Sequence, residues 1–201
     1  MSTAAVEHVE RLRRALDDFS PQVPVAAGWG RHLARVLTGG GRLLVAGNGG
    51  SAAHAQHLTG ELVGRYRDDR RPLSALALHA ETTSLTAIVN DYGADEAFAR
   101  QVRAHGRAGD VLLLVSTSGR STNLLRAAEA GRETELTVWG LTGPLPNPLA
   151  ARCGAAIGVP ADSTATIQEV HQVVVHLVCD AVDATLAAPR RRHIHLVHGG
   201  H

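Results

Sequence analysis

The sequence predicts an α/β fold, a doubly wound five-stranded parallel sheet of the flavodoxin-like kind preceded by an N-terminal helical pair. Five short apolar runs lack polar alternation, which is typical of strands buried on both faces of a parallel sheet. Stretches with helical periodicity separate these runs, as expected of repeated βαβ units. With 201 residues, 44% of them hydrophobic, the chain is long and apolar enough for one such domain.

The first forty residues are predicted to form the helical pair. A helix over 4–19 is indicated by apolar residues that step by three and four, namely Val6, Val9, Leu12, Leu16 and Phe19. Ser20 and Pro21 end it, a second helix reaches Leu37, and glycines 39–41 break the chain.

The α/β core is predicted over residues 42–187. Its strands are expected at 43–46, 74–78, 111–115, 136–141 and 155–159, and its helices at 51–66, 81–89, 94–105, 121–132 and 163–186. We expect residues 1–188 to form a single domain and the Arg- and His-rich residues 189–201 to form a mobile tail.

Composition excludes several functions. All twenty basic residues are Arg, which rules out Schiff-base chemistry and a Walker lysine. A net charge of +1 and 3% aromatic residues argue against a nucleic-acid partner. Cys153 and Cys179 form no metal or redox motif, no signal peptide is evident, and no apolar run is long enough for a membrane span. We therefore expect a soluble cytoplasmic protein with no membrane partner.

Two strand ends carry loops suited to anions. The first predicted strand leads into Gly47-Asn48-Gly49-Gly50-Ser51 and then a helix, whose N-terminal N–H groups and partial positive charge attract phosphate. The third leads into residues 116–122, where five of seven side chains are hydroxyls and Arg120 adds a charge. Together they favour a phosphorylated small molecule.

Other interpretations of these loops remain open. The first loop also matches a G-x-G-x-x-A dinucleotide fingerprint, read as Gly47, Gly49 and Ala52, but the acidic residue expected about 20 positions later is absent. The second loop could serve simply as an N-capping turn.

Two predicted helices carry polar residues on one face. His57 and Glu61 are four apart, with His54 one turn earlier, and Gln168 and His176 are eight apart. Such a set suits Zn²⁺ or a similar divalent ion, and Glu61 with His176 equally suits a general acid–base pair. Asp180, one turn after His176, is a candidate to orient its imidazole.

These motifs occur in a recognisable order: Gly47-Asn48-Gly49-Gly50-Ser51, His57-x3-Glu61-Leu62-x-Gly64-Arg65-Tyr66, Asn90-Asp91-Tyr92-Gly93, Ser116-Thr117-Ser118-Gly119-x-Ser121 and Ile167-Gln168-Glu169-x-His171-x4-His176. Over residues 5–187 the chain resembles the phosphoheptose isomerases, sedoheptulose 7-phosphate isomerases with the sugar isomerase (SIS) fold. The second and last motifs narrow the resemblance to this family among SIS domains.

The resemblance implies interconversion of sedoheptulose 7-phosphate and D-glycero-D-manno-heptose 7-phosphate through an enediol, the first step of nucleotide-activated heptose biosynthesis. It implies catalysis by Glu61 and His176, and one zinc per subunit held by His57, Glu61, Gln168 and His176. It implies a homotetramer with active sites at subunit interfaces. The implied substrate-binding residues are Asn48, Gly49, Gly50, Ser51, Glu61, Asn90, Asp91, Ser116, Thr117, Ser118, Ser121 and Gln168.

The sequence departs from the family at three positions near the expected site. His54 stands where Asp is usual, Arg120 where Asn is usual and Thr166 where Arg is frequent, so substrate preference or rate can differ. A non-catalytic SIS protein, such as a partner of a replication initiator, and an SIS isomerase of another sugar phosphate are the alternatives. The former is expected to lose part of the His57, Glu61, Gln168 and His176 set.

Overall fold

The computed structural model describes residues 3–187, so the expected mobility of residues 189–201 concerns a segment outside the described range. The helices are α1 (Thr3–Phe19), α2 (Val23–Thr38), α3 (Gly50–Val63), α4 (Thr82–Tyr92), α5 (Ala99–His105), α6 (Thr122–Glu133) and α7 (Thr164–Ala187). The strands are β1 (Leu43–Gly47), β2 (Ala75–Ala77), β3 (Val111–Ser116), β4 (Thr137–Thr142) and β5 (Ala155–Gly158). Short 3₁₀ turns occupy Ser20–Gln22, Ala94–Glu96 and Ala150–Arg152.

The five strands form one parallel sheet in the order β2-β1-β3-β4-β5. This is the strand order of flavodoxin-like domains, and it confirms the predicted fold class. The order reverses beside β1, so β1 and β3 are neighbours whose following helices leave toward opposite faces. The register pairs Gly47 with Val115 and Ser116 with Thr142, which places the carboxyl ends of three strands at one edge.

Each face of the sheet is covered by an apolar cluster. On one face α1, α2, α3 and α7 bury residues such as Phe19, Leu58 and Val174. There the rings of Trp29 and Trp139 stack with centroids 4.7 Å apart. On the other face α5 and α6 bury a second cluster that includes Phe98, Leu112 and Leu124. Strands covered on both sides explain why their sequences show no alternation.

Helix α7 crosses the first face and packs chiefly against α2. With 24 residues and a high mean hydropathy, this helix is long and apolar enough to cross a membrane, judged by length and composition alone. Its buried residues, among them Val170, Val174, Val178 and Val182, recur at a spacing of four and pack into the core. This one-sided burial is typical of the core helix of a globular protein.

Three helices differ from the prediction by more than one residue, and α4 is one of them because it ends at Tyr92 instead of residue 89. Helix α3 ends at Val63 instead of residue 66, because Gly64 leaves the helical conformation. The helix expected over 94–105 is divided into a 3₁₀ turn and α5, since Ala97 and Phe98 turn into the core between them.

Helix α4 has none of its eleven residues buried. Glu81 is its N-cap, and the Glu81 carboxylate accepts hydrogen bonds from the backbone N–H groups of Thr83 and Ser84. Gly93, with φ +87°, follows its last residue. Its apolar side chains Val89 and Tyr92 are exposed.

Candidate active site

The β1–α3 loop brings the backbone close to its surroundings. Gly49 takes φ +54° as the residue preceding α3, a conformation in which a side chain would be strained. A Cβ at Gly47 would overlap the backbone of Ser51, and a Cβ at Gly50 would overlap the side-chain amide of Gln168. The glycines therefore allow the tight turn and the close approach of α7.

The β3–α6 loop is held by its own hydroxyls. The Ser116 hydroxyl accepts a hydrogen bond from the N–H of Gly119 at 3.1 Å, and the Ser118 hydroxyl accepts one from the N–H of Arg120 at 3.2 Å. Gly119 has φ +60°, and a Cβ there would overlap Asn147. The loop is thus fixed before any ligand binds.

A pair of amides joins the two loops. Asn48 and Asn123 each donate an N–H to the other's side-chain oxygen, both at 3.0 Å. Between the loops lies a cavity of about 90 Å³. We call its polar lining the anion cradle: Asn48, Ser51, Ser116, Thr117, Ser118, Ser121 and Gln168. Seven of the predicted substrate-binding residues therefore meet in one place.

A larger cleft of about 400 Å³ continues from the anion cradle. Thr117 and Ser118 line both spaces. The cleft adds Arg120 on one side and Asp162 on the other, both exposed. None of its lining residues belongs to the stretch of α7 that follows Gln168.

Three of the four predicted metal-ligating side chains lie together where α3 faces α7. His57 is the middle member: its Nε2 lies 3.2 Å from Oε1 of Glu61 and 3.3 Å from Nε2 of His176. Nε2 of Gln172 lies 2.9 Å from Nε2 of His176. We call these four side chains the histidine cluster. The Tyr66 ring lies beside it, its centroid 5.7 Å from that of His176.

The spacing in the histidine cluster fits a zinc ion. Tetrahedral zinc with bonds of about 2.05 Å places its ligand atoms roughly 3.3 Å apart, as His57 is from both of its neighbours. Over residues 3–187, however, no group of three or more His, Cys, Asp or Glu side chains is arranged closely enough to hold a metal ion. The fourth predicted ligand, Gln168, lies in the anion cradle, and its place in a metal site stays a prediction.

Other predicted residues lie elsewhere. Asn90 and Asp91 are exposed at the end of α4, where the Asn90 amide donates to the Asp91 carboxylate at 2.7 Å. The hypothesis that Asp180 orients His176 is wrong, because its carboxylate pairs with Arg67 at 2.7 Å and Gln172 occupies the place beside His176.

His54 does not face solvent, as a surface residue of α3 would. Half-buried, its ring packs edge-on against His171, with centroids 6.2 Å apart, and burial followed by the nearby His57 lowers its pKa. His171 is fully buried, and desolvation lowers its pKa to about 4. Its neutral ring binds the carbonyl of Thr142 at 3.0 Å and so fixes α7 to the end of β4.

No role was predicted from the sequence for Asn123, Asn147 or His171. Asn147 is buried, donates to Thr142 and Pro144, and accepts from the N–H of Ala150, which fixes the wall beside Gly119. A signal existed only for Asn123: it lies in the first turn after the hydroxyl-rich loop, beside a strand end that carries Asn48. His171 acts through a contact distant in sequence, whereas the hydrogen bonds of Asn147 are local and depend on the path of the loop after β4.

Comparison with known proteins agrees with this geometry. A family model for the SIS domain matches residues 8–143. A phosphoheptose isomerase of Streptomyces coelicolor is 63% identical over 181 residues, which cover 90% of this chain and 78% of that protein.

Two solved structures of similar proteins superpose closely. A phosphoheptose isomerase from Francisella tularensis has a TM-score of 0.86 at 35% identity, with 92% of this chain and 100% of that chain covered. The phosphoheptose isomerase from Neisseria gonorrhoeae has a TM-score of 0.83 at 39% identity, with 90% and 97% covered. These similarities extend through α7, beyond the end of the SIS-domain match.

Proposed function

The chain belongs to the phosphoheptose isomerases of the SIS-domain family, and from this premise we propose that it interconverts sedoheptulose 7-phosphate and D-glycero-D-manno-heptose 7-phosphate. The reaction is an aldose–ketose isomerisation that passes through a cis-enediol. Its product would enter the synthesis of nucleotide-activated heptose, of which this is the first step. We propose the cytoplasm as its location, where sugar phosphates are metabolised.

One observation carries the proposal: a single helix serves both halves of the site. Gln168 of α7 lines the anion cradle, and His176 of the same helix contacts His57 in the histidine cluster. Eight residues of α-helix separate them by about 12 Å along the axis. This distance is between backbone positions, and the side chains of Gln168 and His176 can both extend toward one seven-carbon sugar phosphate.

The anion cradle would bind the phosphate. Its serine and threonine hydroxyls, the N–H groups of two loops and the N-termini of α3 and α6 offer neutral donors and partial positive charge. Gly49 and Gly50 bring backbone to the rim, and Arg120 adds a formal charge. A phosphate fixed here leaves the far end of the sugar free to reach His176.

Glu61 is the proposed base. Moving the carbonyl from C2 to C1 requires removal of a proton from C1 of the ketose and its delivery to C2. The Glu61 carboxylate would take the C1 proton while the C2 oxygen gains one, which gives the cis-enediol. Return of the proton to C2, with loss of the proton from the C1 hydroxyl, gives the aldose.

His176 would exchange the oxygen-bound protons. Through Nδ1, the ring nitrogen that does not face His57 or the proposed zinc ion, its imidazole can give a proton to the C2 oxygen and take one from the C1 oxygen, and it can assist opening of the sugar ring. Gln172 contacts the same ring nitrogen, Nε2, that faces His57. The amide would orient the imidazole and leave the proton transfers to His176.

We propose that one zinc ion per subunit binds to His57, Glu61, Gln168 and His176. The two contacts of His57, at 3.2 and 3.3 Å, support this choice because they match the edges of a tetrahedral zinc site. When bound, the ion would polarise the carbonyl.

We also propose a homotetramer. Exposed apolar side chains on α4, Val89 and Tyr92, are what a subunit interface would bury. Asn90 and Asp91 lie on the same helix, so a neighbouring copy could carry them to the substrate. Sedimentation velocity would test the assembly: a purified monomer would contradict it.

The function is tested by incubating the protein with sedoheptulose 7-phosphate and Zn²⁺ and following the aldose by NMR. We expect the wild type to form the heptose 7-phosphate, and fructose 6-phosphate supplied in parallel to react far more slowly. No product from either substrate would contradict the isomerase and favour a non-catalytic binding protein. Faster conversion of the six-carbon sugar would point to another sugar phosphate.

A further inference from the structure

A buried arginine links the end of α3 to α7. The side chain of Arg70 is 9% exposed and that of its partner Asp183 is 13% exposed. Nε of Arg70 donates to Oδ1 of Asp183 at 2.9 Å. Asp183 also accepts a hydrogen bond from the N–H of Arg67. A pair this well shielded is held more firmly than the exposed ion pairs of the surface.

The other two guanidinium nitrogens cap α3. Nη2 of Arg70 donates to the carbonyl of Glu61 at 2.6 Å, and Nη1 donates to the carbonyl of Leu62 at 2.9 Å. Carbonyls in the last turn of a helix have no partner within the helix. A planar guanidinium can satisfy two of them and a carboxylate at once from three separate nitrogens in a fixed fork, a geometry that the single nitrogen of a lysine does not reproduce.

These contacts connect the two sides of the histidine cluster. Glu61 contributes its carboxylate to the cluster and its carbonyl to Arg70. Asp183 follows His176 by seven residues, which is two turns, so both lie on the same face of α7 about 10 Å apart. Arg70 thus bridges the backbone of Glu61 to the helix that carries His176.

The last turn of α3 has little else to fix it. Leu62 anchors it in the core and its carbonyl accepts a second hydrogen bond, from the N–H of Leu73 at 3.0 Å, but Gly60 and Gly64 bracket the turn and Val63 is exposed. The Glu61 carbonyl is therefore the contact that depends most on Arg70. Nothing lies within 4 Å of where a Cβ on Gly60 would be. Glycines on both sides leave the backbone unusually free. The guanidinium bonds limit that freedom at Glu61 itself.

We propose that Arg70 is a positioning residue that sets the separation between Glu61 and His176, with Asp183 as its anchor. This inference rests on the proposed isomerase function. Arg70 itself touches neither the anion cradle nor the side chains of the histidine cluster. It acts through the backbone of Glu61, and it keeps the base and the acid at the spacing that proton transfer requires.

The test compares Arg70→Lys and Asp183→Asn with Arg103→Lys. Arg70→Lys keeps the charge but replaces the three fixed donor nitrogens by one, so it does not reproduce the geometry of the contacts to both carbonyls and Asp183. Asp183→Asn keeps the shape of the anchor but removes its charge. Arg103 is the control, because its three guanidinium nitrogens also all donate hydrogen bonds, in this case to Glu96 and Glu133, and it lies on α5 behind the opposite face of the sheet. Each protein is checked by circular dichroism and thermal melting before kinetics.

Three kinds of measurement are made: kcat and KM for sedoheptulose 7-phosphate, the deuterium isotope effect with substrate labelled at C1, and the Zn²⁺ dissociation constant from competition with a chromophoric chelator.

For Arg70→Lys we expect kcat to fall about 10- to 100-fold, since a misplacement near 1 Å costs about that much. KM should stay within about threefold, because the phosphate site is intact, and the isotope effect should rise. Zn²⁺ binding should weaken. Asp183→Asn should show the same pattern to a smaller extent, and Arg103→Lys should match the wild type.

The outcomes distinguish a failure of the positioning role of Arg70 from a failure of the proposed isomerase function. If the wild type turns over sedoheptulose 7-phosphate and Arg70→Lys matches it in kcat, isotope effect and Zn²⁺ affinity, Arg70 has no positioning role. The same conclusion follows if kcat falls only in proportion to the fraction of protein that is unfolded. If the wild type is inactive on the sugar but Zn²⁺ binding weakens in Arg70→Lys, the positioning role stands and the proposed function fails.

Discussion

The anion cradle and the histidine cluster, the two halves of the candidate site, are built by different means. The cradle lies in short loops directly after β1 and β3 and is fixed by backbone turns, hydroxyl contacts and the Asn48–Asn123 amide pair. The cluster depends on α3 and α7 meeting side by side, with His57 and His176 119 residues apart in the chain. Binding is therefore specified locally in this molecule, whereas the chemistry depends on long-range packing.

Helix α7 joins the halves and is held differently near each. Near the cradle, His171 binds the carbonyl at the end of β4 from within the core. Near the cluster, a buried ion pair connects Asp183 to Arg70. The first attachment is to the sheet, the most rigid part of the fold, and the second is to the end of another helix.

The largest effect is expected when the chemistry is removed and binding is kept. Glu61→Gln or His176→Gln should lower kcat by about 10²- to 10⁴-fold, because a general base or acid is lost. KM should change little, since the cradle lies at the other end of the site. Steady-state kinetics on sedoheptulose 7-phosphate would check this, with the exposed Glu10→Gln as a control. Full turnover in both variants would contradict the mechanism.

The attachment of α7 at the cradle end should make stability depend on pH. His171 has a folded pKa of about 4 against 6.5 in the unfolded chain, so between these values only the unfolded state binds the proton. Its contribution is full above pH 6.5 and is lost as the pH falls toward 4, by about 3 kcal/mol in total.

Urea unfolding at pH 8 and pH 5 would measure this loss. His171→Gln, which can still donate to Thr142 but does not titrate, should lose markedly less stability between the two pH values. A remaining slope is expected, since burial also lowers the pKa of His32 and His54. An unchanged slope in His171→Gln would show that this residue does not control the pH dependence.

The substitution Gly119→Ala should disturb the anion cradle, the half of the site that binds the substrate. Its φ of +60° costs a residue with a side chain about 1–2 kcal/mol, and the added Cβ would displace Asn147. We expect KM to rise about tenfold or more, in keeping with that energy, while kcat is largely retained. Gly40→Ala, also at positive φ but distant from the site, is the control for strain alone. Equal KM values for the two variants would show that the loop is not a binding element.

The smallest effect is expected from Arg120→Asn, which restores the residue usual in the family. The side chain is exposed, so losing its contact with a phosphate should cost at most about 1 kcal/mol, or a few-fold in KM. The loss should shrink further when salt is raised. Titration of KM against NaCl would check this, and a salt-independent change would indicate that Arg120 acts on loop shape instead.

The same local-versus-distant contrast explains what the sequence could predict. The fold class, the two loops and the facing of His57 with Glu61 follow from periodicity and from glycine and hydroxyl spacing, and the structure confirms them. That α3 stops at Val63 was not predicted, because Gly64 and the capping by Arg70 decide it.

The contacts of distant residues could not be predicted. Asp180 follows His176 by one turn, but its exposed carboxylate meets Arg67, whose position depends on the path of the loop after α3. Gln172 lies one turn before His176 on the same face of α7, so this contact is a local one that the sequence allowed, although no role was predicted for Gln172. Asn90 and Asp91 lie apart from the other predicted residues, on a helix whose lack of buried residues the sequence alone does not explain.

The reciprocal amide bonds between Asn48 and Asn123 carry no formal charge. Ions in solution therefore do not loosen them, and the two turns keep their mutual spacing at any ionic strength. The conformational entropy of bringing those turns together is lost once, when the polypeptide folds, and is not subtracted again from each sugar's affinity. A change of salt concentration therefore alters the attraction of the incoming phosphate dianion, while the shape of the anion cradle stays the same.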